Sequence, residues 1–184
     1  ARIQQEEEQR AIHKASAERA YTIWEEAPDA TTNTENGKKP NAYLLKKGVQ
    51  SFPGIKESRG SLVIPFGDEE GITGLQFIPP DGKNKRFLSG SKTKGCYFTI
   101  GRTTPIIYIA EGYATAASIH MATDCMVYIC FSAGNIYNVA SVAKRKHPDA
   151  KIVIAADNDR FTSGNPGITK AQQAADGLAL GIIV

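Results

Sequence analysis

Apolar residues recur at three- and four-residue steps through residues 2–27, at Ile3, Ala11, Ala15, Ala20, Ile23 and Trp24. That spacing among good helix formers predicts a helix ending at Ala27-Pro28. Residues 28–42 are polar and rich in breakers, and read as a linker. Between Tyr43 and Ile100 the pattern shortens to the runs Leu62-Val-Ile-Pro-Phe66, Gly74-Leu-Gln-Phe-Ile78 and Cys96-Tyr-Phe-Thr-Ile100, parted by Gly-Asp-Glu-Glu-Gly and Pro-Pro-Asp-Gly. Short apolar runs between such turn signals predict antiparallel strands.

From Pro105 the rhythm changes again. Apolar strands at 105–110, 126–131, 152–156 and 181–184 alternate with helical stretches at 113–122, 135–146 and 167–178. Continuous apolar strands alternating with helices of this length are the pattern of a buried, largely parallel sheet covered on both faces, a doubly wound α/β domain. The expected organisation is therefore an N-terminal helix and linker over 1–42, a small mixed α+β lobe over 43–104 and an α/β domain over 105–184.

Two of the strands end directly in carboxylates: Glu111 follows the first, and Asp157-Asn-Asp159 follows the third. Ligands in open α/β sheets bind at the carboxyl ends of the strands, so this placement predicts an acidic cluster at one edge. A hard dication such as Mg²⁺ takes one or two carboxylates and completes its shell with phosphates and water. The plain alternative is that these acids only end strands and cap helices. Small residues beside them, Gly112, Gly134 and Asn135, leave room for a phosphate backbone to approach closely.

Composition sharpens the picture in one place. The chain has a formal charge of +3, but residues 38–102 hold twelve Lys/Arg against five Asp/Glu, an excess of seven positive charges. A basic segment ahead of an acidic edge suits a polyanionic partner, although a Lys-rich face is also compatible with simple solvation. No run reaches the roughly 18 apolar residues of a membrane span, and the first residues do not read as a signal peptide, so a cytoplasmic protein with no membrane partner is expected. Cys96, Cys125 and Cys130 lack metal-ligand or disulfide spacing and read as structural thiols. His13, His120 and His147 do not follow a strand end and receive no catalytic role.

The strings Ile109-Ala-Glu111-Gly-Tyr-Ala-Thr-Ala-Ala-Ser118, Ala-Gly-Asn135 and Ile-Ala-Ala-Asp157-Asn-Asp159 resemble the Toprim motifs of plasmid, prophage and satellite-phage DNA primases. Upstream, Asn41-Ala-Tyr-Leu-Leu-Lys-Lys-Gly48, Leu62-Val-Ile-Pro-Phe-Gly-Asp68, Gly74-Leu-Gln-Phe-Ile78, Lys85-Arg-Phe-Leu-Ser-Gly90 and Lys94-Gly95 resemble the basic lobe of the same group. The resemblance implies a primase catalytic core that makes short RNA primers, with Mg²⁺ or Mn²⁺ held by Glu111, Asp157 and Asp159. It implies single-stranded DNA as template, ribonucleoside triphosphates as substrates and a replicative helicase, fused or separate, as partner.

By motif position Arg86 and Lys94, with Phe87 beside them, correspond to template- and nucleotide-holding residues, and Lys83, Lys85 and Lys92 lie in the same basic segment. Toprim domains also serve topoisomerases, nucleases and recombination proteins, so a metal-dependent nuclease or topoisomerase module remains an alternative, as does a non-catalytic single-stranded nucleic-acid-binding module. Family members continue to a further acidic motif past a fourth strand. A chain without an initial Met that stops at Val184 is therefore expected to be a fragment of a longer protein.

Overall fold

Residues 2–33, 39–158 and 164–184 are described by a computed structural model, which divides the chain into two units, Ala1–Cys96 and Tyr97–Val184. In the first unit, helix α1 (Arg2–Glu26) is the helix expected from the sequence. Only Ser16 and Ala20 on it are buried. Ala20, with Ile23 and Trp24, packs against Val63 and Leu75 of a four-stranded sheet. The Trp24 indole donates to the Gly54 carbonyl at 2.7 Å, and Lys56 lies over its ring.

That sheet consists of β1 (Lys56–Ser58), β2 (Ser61–Asp68), β3 (Gly71–Ile78) and β4 (Arg86–Phe87), in sequence order and antiparallel throughout. The β2–β3 hairpin slips register between Phe66 and Gly67. Gly67 is required there, because a Cβ would lie 1.9 Å from the Gly71 carbonyl oxygen. A short helix α2 (Ala42–Lys47) lies inside the stretch expected to start the lobe. Asn41 caps it by accepting from the Tyr43 and Leu44 amides, and Gly48 closes it at φ 64.

The second unit holds β5 (Phe98–Ile100), β6 (Ile106–Ala110), α3 (Tyr113–Thr123), β7 (Met126–Ile129), a 3-10 turn (Ala133–Asn135), α4 (Ile136–Lys146), β8 (Lys151–Ala155), α5 (Pro166–Leu178) and β9 (Gly181–Ile183). The sheet order is β5-β7-β6-β8-β9, with β6, β7, β8 and β9 parallel and β5 antiparallel at one edge. This is the mixed α/β architecture expected, with helices against a mostly parallel sheet. One strand has a different partner from the one its position suggested. Phe98–Ile100 does not extend the first sheet but pairs with Val127–Ile129 of β7, since an apolar run specifies a strand while its partner is chosen by packing.

Period-2 alternation explains how both faces are filled. Ile107 and Ile109 of β6, Tyr128 and Cys130, and Ile152 and Ile154 of β8 share a core with Val139, Ala140 and Ala143 of α4 and Ala171, Ala174 and Ala175 of α5. The alternate positions Ala110, Val127 and Ile129 are also buried, and α3 brings its buried Tyr113, Ala116 and Ala117 to β6 and β7. Each fully buried isoleucine removed from water stabilises the unit by about 1.5–3 kcal/mol. Small alanines on all three helices allow them to sit close to the strands, and the parallel pairing of β6, β7 and β8 puts the loops after them at one edge. Among the described residues no helix is long and apolar enough to cross a membrane.

Candidate active site

Strand β6 occupies the centre of the five-stranded sheet, flanked by β7 and β8. Ala110 is in register with Ile129 on one side and Ala155 on the other. Glu111 is therefore one residue and Asp157 two residues beyond a matched pair on adjacent parallel strands, whose spacing is about 4.8 Å. The Glu111 carbonyl accepts from the Phe131 amide at 2.9 Å, and the Ala110 carbonyl accepts from the Cys130 amide at 2.9 Å. Phe131 takes a left-handed backbone at φ 67, a costly conformation for a bulky residue that turns the chain sharply as it leaves β7.

Both carboxylates are partly buried, and both are felt by the same thiol. Burial first, then the Glu111 charge and more weakly the Asp157 charge, push Cys130 up to about 12. The register of β6 with β8 sets the two residues at the same ends of neighbouring parallel strands. Asp157 also accepts from the Thr115 hydroxyl at 3.5 Å. Asp159 lies outside the described residues; its neighbour Asn158 accepts from the Asn165 side chain at 3.1 Å.

The small residues around this edge divide into different roles. Gly112 caps α3 with an extended backbone and no side-chain bond. A Cβ on Gly134 would meet nothing within 4 Å, so space is open beside that turn. Asn135 is buried and braces the loop: its amide donates to the Cys130 carbonyl at 3.0 Å, and its oxygen accepts from Asn138 at 3.4 Å.

In the first unit the six basic-segment residues Lys83, Lys85, Arg86, Phe87, Lys92 and Lys94 are all exposed, but not equivalently held. Arg86 and Phe87 form β4 against Phe77 and Gln76 of β3. The Arg86 guanidinium stacks 5.4 Å over the Phe77 ring, and Phe87 meets Phe66 edge-on at 5.5 Å. Lys92 is committed to an ion pair with Asp68 at 2.8 Å. Burial pushes the Asp68 carboxyl up, but the hydrogen bonds and charge of Lys92 and the Glu70 amide outweigh it and hold the group below its ordinary value. Lys83, Lys85 and Lys94 make no ion pair among the described residues.

Comparison with known proteins bears on the acidic unit first: residues 106–183 match the Toprim domain family. This stretch is a Toprim domain. The chain is also 38% identical over 181 residues to a DNA primase TraC of Escherichia coli, a match covering 92% of the chain and 16% of that protein. A second DNA primase TraC of Escherichia coli is 38% identical over 151 residues, covering 76% of the chain and 10% of that protein. The chain thus spans about a sixth or less of the length of these relatives. Both findings support a Toprim-bearing stretch of the plasmid-primase type.

A divalent cation fits the donors of the Toprim edge. Two hard carboxylates, Glu111 and Asp157, stand at neighbouring strand ends, and Mg²⁺ asks for no more than one or two from the protein. Among the described residues no group of three His, Cys, Asp or Glu is arranged to hold a metal. Two residues of this edge were missed by sequence reasoning. Thr115 carried a signal, being four residues and so about one helical turn beyond Glu111. Cys130 carried none, since an apolar run does not tell that its thiol would lie within reach of the Glu111 charge.

Proposed function

We propose that the chain carries the catalytic core of a DNA primase, which joins ribonucleotides into short primers on single-stranded DNA during plasmid or phage replication. The observation that carries this reading is the placement of Glu111 and Asp157 at adjacent strand ends of a Toprim domain, in a chain similar over 92% of its length to a DNA primase. Glu111 and Asp157, with Asp159, would hold Mg²⁺ or Mn²⁺. When bound, the ion supplies charge that polarises the reacting phosphate and offsets the negative charge on the leaving pyrophosphate. The protein's own part is positioning. Glu111, fixed by the Phe131 amide on its carbonyl, supplies either a ligand oxygen or the base that takes the proton of the attacking 3′-hydroxyl. The open space at Gly134 leaves the nucleotide phosphates a close approach.

The partners in this reading are a single-stranded DNA template, ribonucleoside triphosphates and a replicative helicase, fused or separate. Arg86, Phe87 and Lys94, with Lys83 and Lys85, would hold the sugar-phosphate backbone and the incoming nucleotide. Phe87 is 39% exposed and its ring stands at right angles to that of Phe66 with centroids 5.5 Å apart, so a held aromatic ring lies at the surface where a base would stack.

The test is primer synthesis from labelled ribonucleotides on single-stranded DNA with Mg²⁺ or Mn²⁺, using this chain and a chain extended beyond Val184. Glu111→Gln and Asp157→Asn are each expected to lower synthesis by at least about a hundredfold while circular dichroism and the melting temperature stay close to the parent. Nicked or relaxed DNA in place of oligoribonucleotides would move the function to a nuclease or topoisomerase module. DNA binding that is indifferent to chelator, with no incorporation by either chain, would leave a binding module.

A further inference from the structure

The turn that delivers Glu111 also begins α3, and in the first turn of that helix the Thr115 hydroxyl reaches Asp157 Oδ1, on the neighbouring strand end, at 3.5 Å. We infer that Thr115 is a positioning residue for Asp157: its hydroxyl holds one carboxylate oxygen so that the other is presented to the metal. This inference rests on the reading of Asp157 as a metal ligand given above.

Several features make the contact more than a neighbourly one. A helical threonine commonly turns its hydroxyl back to the carbonyl one turn earlier, as Thr22 does to Glu18 and Thr123 does to Ile119. Thr115 differs, with its hydroxyl directed across the sheet edge to a residue 42 positions away. Both groups are partly buried, where a hydrogen bond to a charged acceptor is stronger than in water.

The separation is at the long end for a hydrogen bond, as catalytic contacts without substrate often are before they tighten. Carboxylate ligands are characteristically oriented by such partners, and losing one costs about 10–100-fold in metal affinity or activity. Thr115 thereby ties the end of β8 to the helix that starts at Glu111, so that the two carboxylates keep a fixed separation. No reacting atom is touched by Thr115 itself.

The experiment is titration of the 184-residue chain with Mn²⁺ alone, followed by calorimetry or by the electron paramagnetic resonance signal of free Mn²⁺, for the parent, Thr115→Val, Thr115→Ala, Thr115→Ser and Asp157→Asn. Melting temperatures are recorded in chelator. Thr115→Val and Thr115→Ala are expected to weaken Mn²⁺ binding about tenfold without a matching loss of stability in chelator, Thr115→Ser to keep the parent affinity, and Asp157→Asn to lose binding. Parental affinity in both Thr115→Val and Thr115→Ala, alongside loss in Asp157→Asn, would overturn the role of Thr115 and leave Asp157 as a ligand. Parental affinity in Asp157→Asn would overturn both. A Thr115→Ser variant as weak as Thr115→Val would also refute a hydroxyl-based role, since the hydroxyl is retained there.

Discussion

At the scale of single residues, the thiol of Cys130 reports on the acidic edge. It is fully buried, and burial with the Glu111 and Asp157 charges raises it to about 12. At about pH 8 roughly one thiol in ten thousand is then ionised, and the thiolate is the reactive form. Cys96 is likewise buried, and burial pushes it above its ordinary value, whereas Cys125 is partly exposed. Iodoacetamide labelling followed by mass spectrometry should therefore modify Cys125 first and leave Cys96 and Cys130 unmodified until the chain is unfolded. Labelling of Cys130 at the rate of Cys125 would show that its strand end opens to water. The sequence placed Cys130 in an apolar run and supported a structural thiol. That it joins the core shared with α4 and α5 depends on which face of the sheet its side chain leaves.

Individual elements are positioned by different forces. Strands β6, β7 and β8 were legible because buried parallel strands are continuously apolar, and α4 and α5 because Gly, Pro and charge bound their apolar stripes. Strand β1 and the two-residue β4 were not, since exposed edge pairing leaves little pattern; both β4 residues are exposed. Helix α2 was hidden by its length of six residues, too short for periodicity to register.

Glycines give a test at this scale. A Cβ on Gly67 would lie 1.9 Å from the Gly71 carbonyl oxygen at the β2–β3 bulge, whereas one on Gly134 would meet nothing within 4 Å. Gly67→Ala should cost about 1–3 kcal/mol through forced backbone movement, and Gly134→Ala less than about 0.5 kcal/mol, as read from urea unfolding midpoints. Equal midpoints for the two variants would refute the close approach at Gly67.

For the whole molecule, the uneven charge along the chain matters more than its net value of +3. The first unit exposes Lys83, Lys85 and Lys94 without ion-pair partners among the described residues, while Lys92 is neutralised by Asp68. Binding to single-stranded DNA should weaken steeply with salt, and replacing Lys83, Lys85 and Lys94 together by alanine should reduce the slope of log affinity against log salt by about 2. Lys92→Ala should change the slope far less, because a lysine already paired with Asp68 neutralises no phosphate and so releases no counterion. Fluorescence anisotropy across a salt series measures both, and an unchanged slope in the triple variant would take this segment out of the nucleic-acid interface.

The sequence by itself determined the alternation of strands and helices after Pro105, the strand-end positions of Glu111 and Asp157, and the basic stretch before them, because hydrophobic period, turn chemistry and charge are local properties of a chain. Tertiary structure alone decided the strand order β5-β7-β6-β8-β9, the transfer of Phe98–Ile100 to the second sheet, the commitment of Lys92 to Asp68 and the reach of Thr115 to Asp157. Each of these joins residues 19 or more positions apart, where the partner is chosen by packing and register, and no local pattern carries that choice.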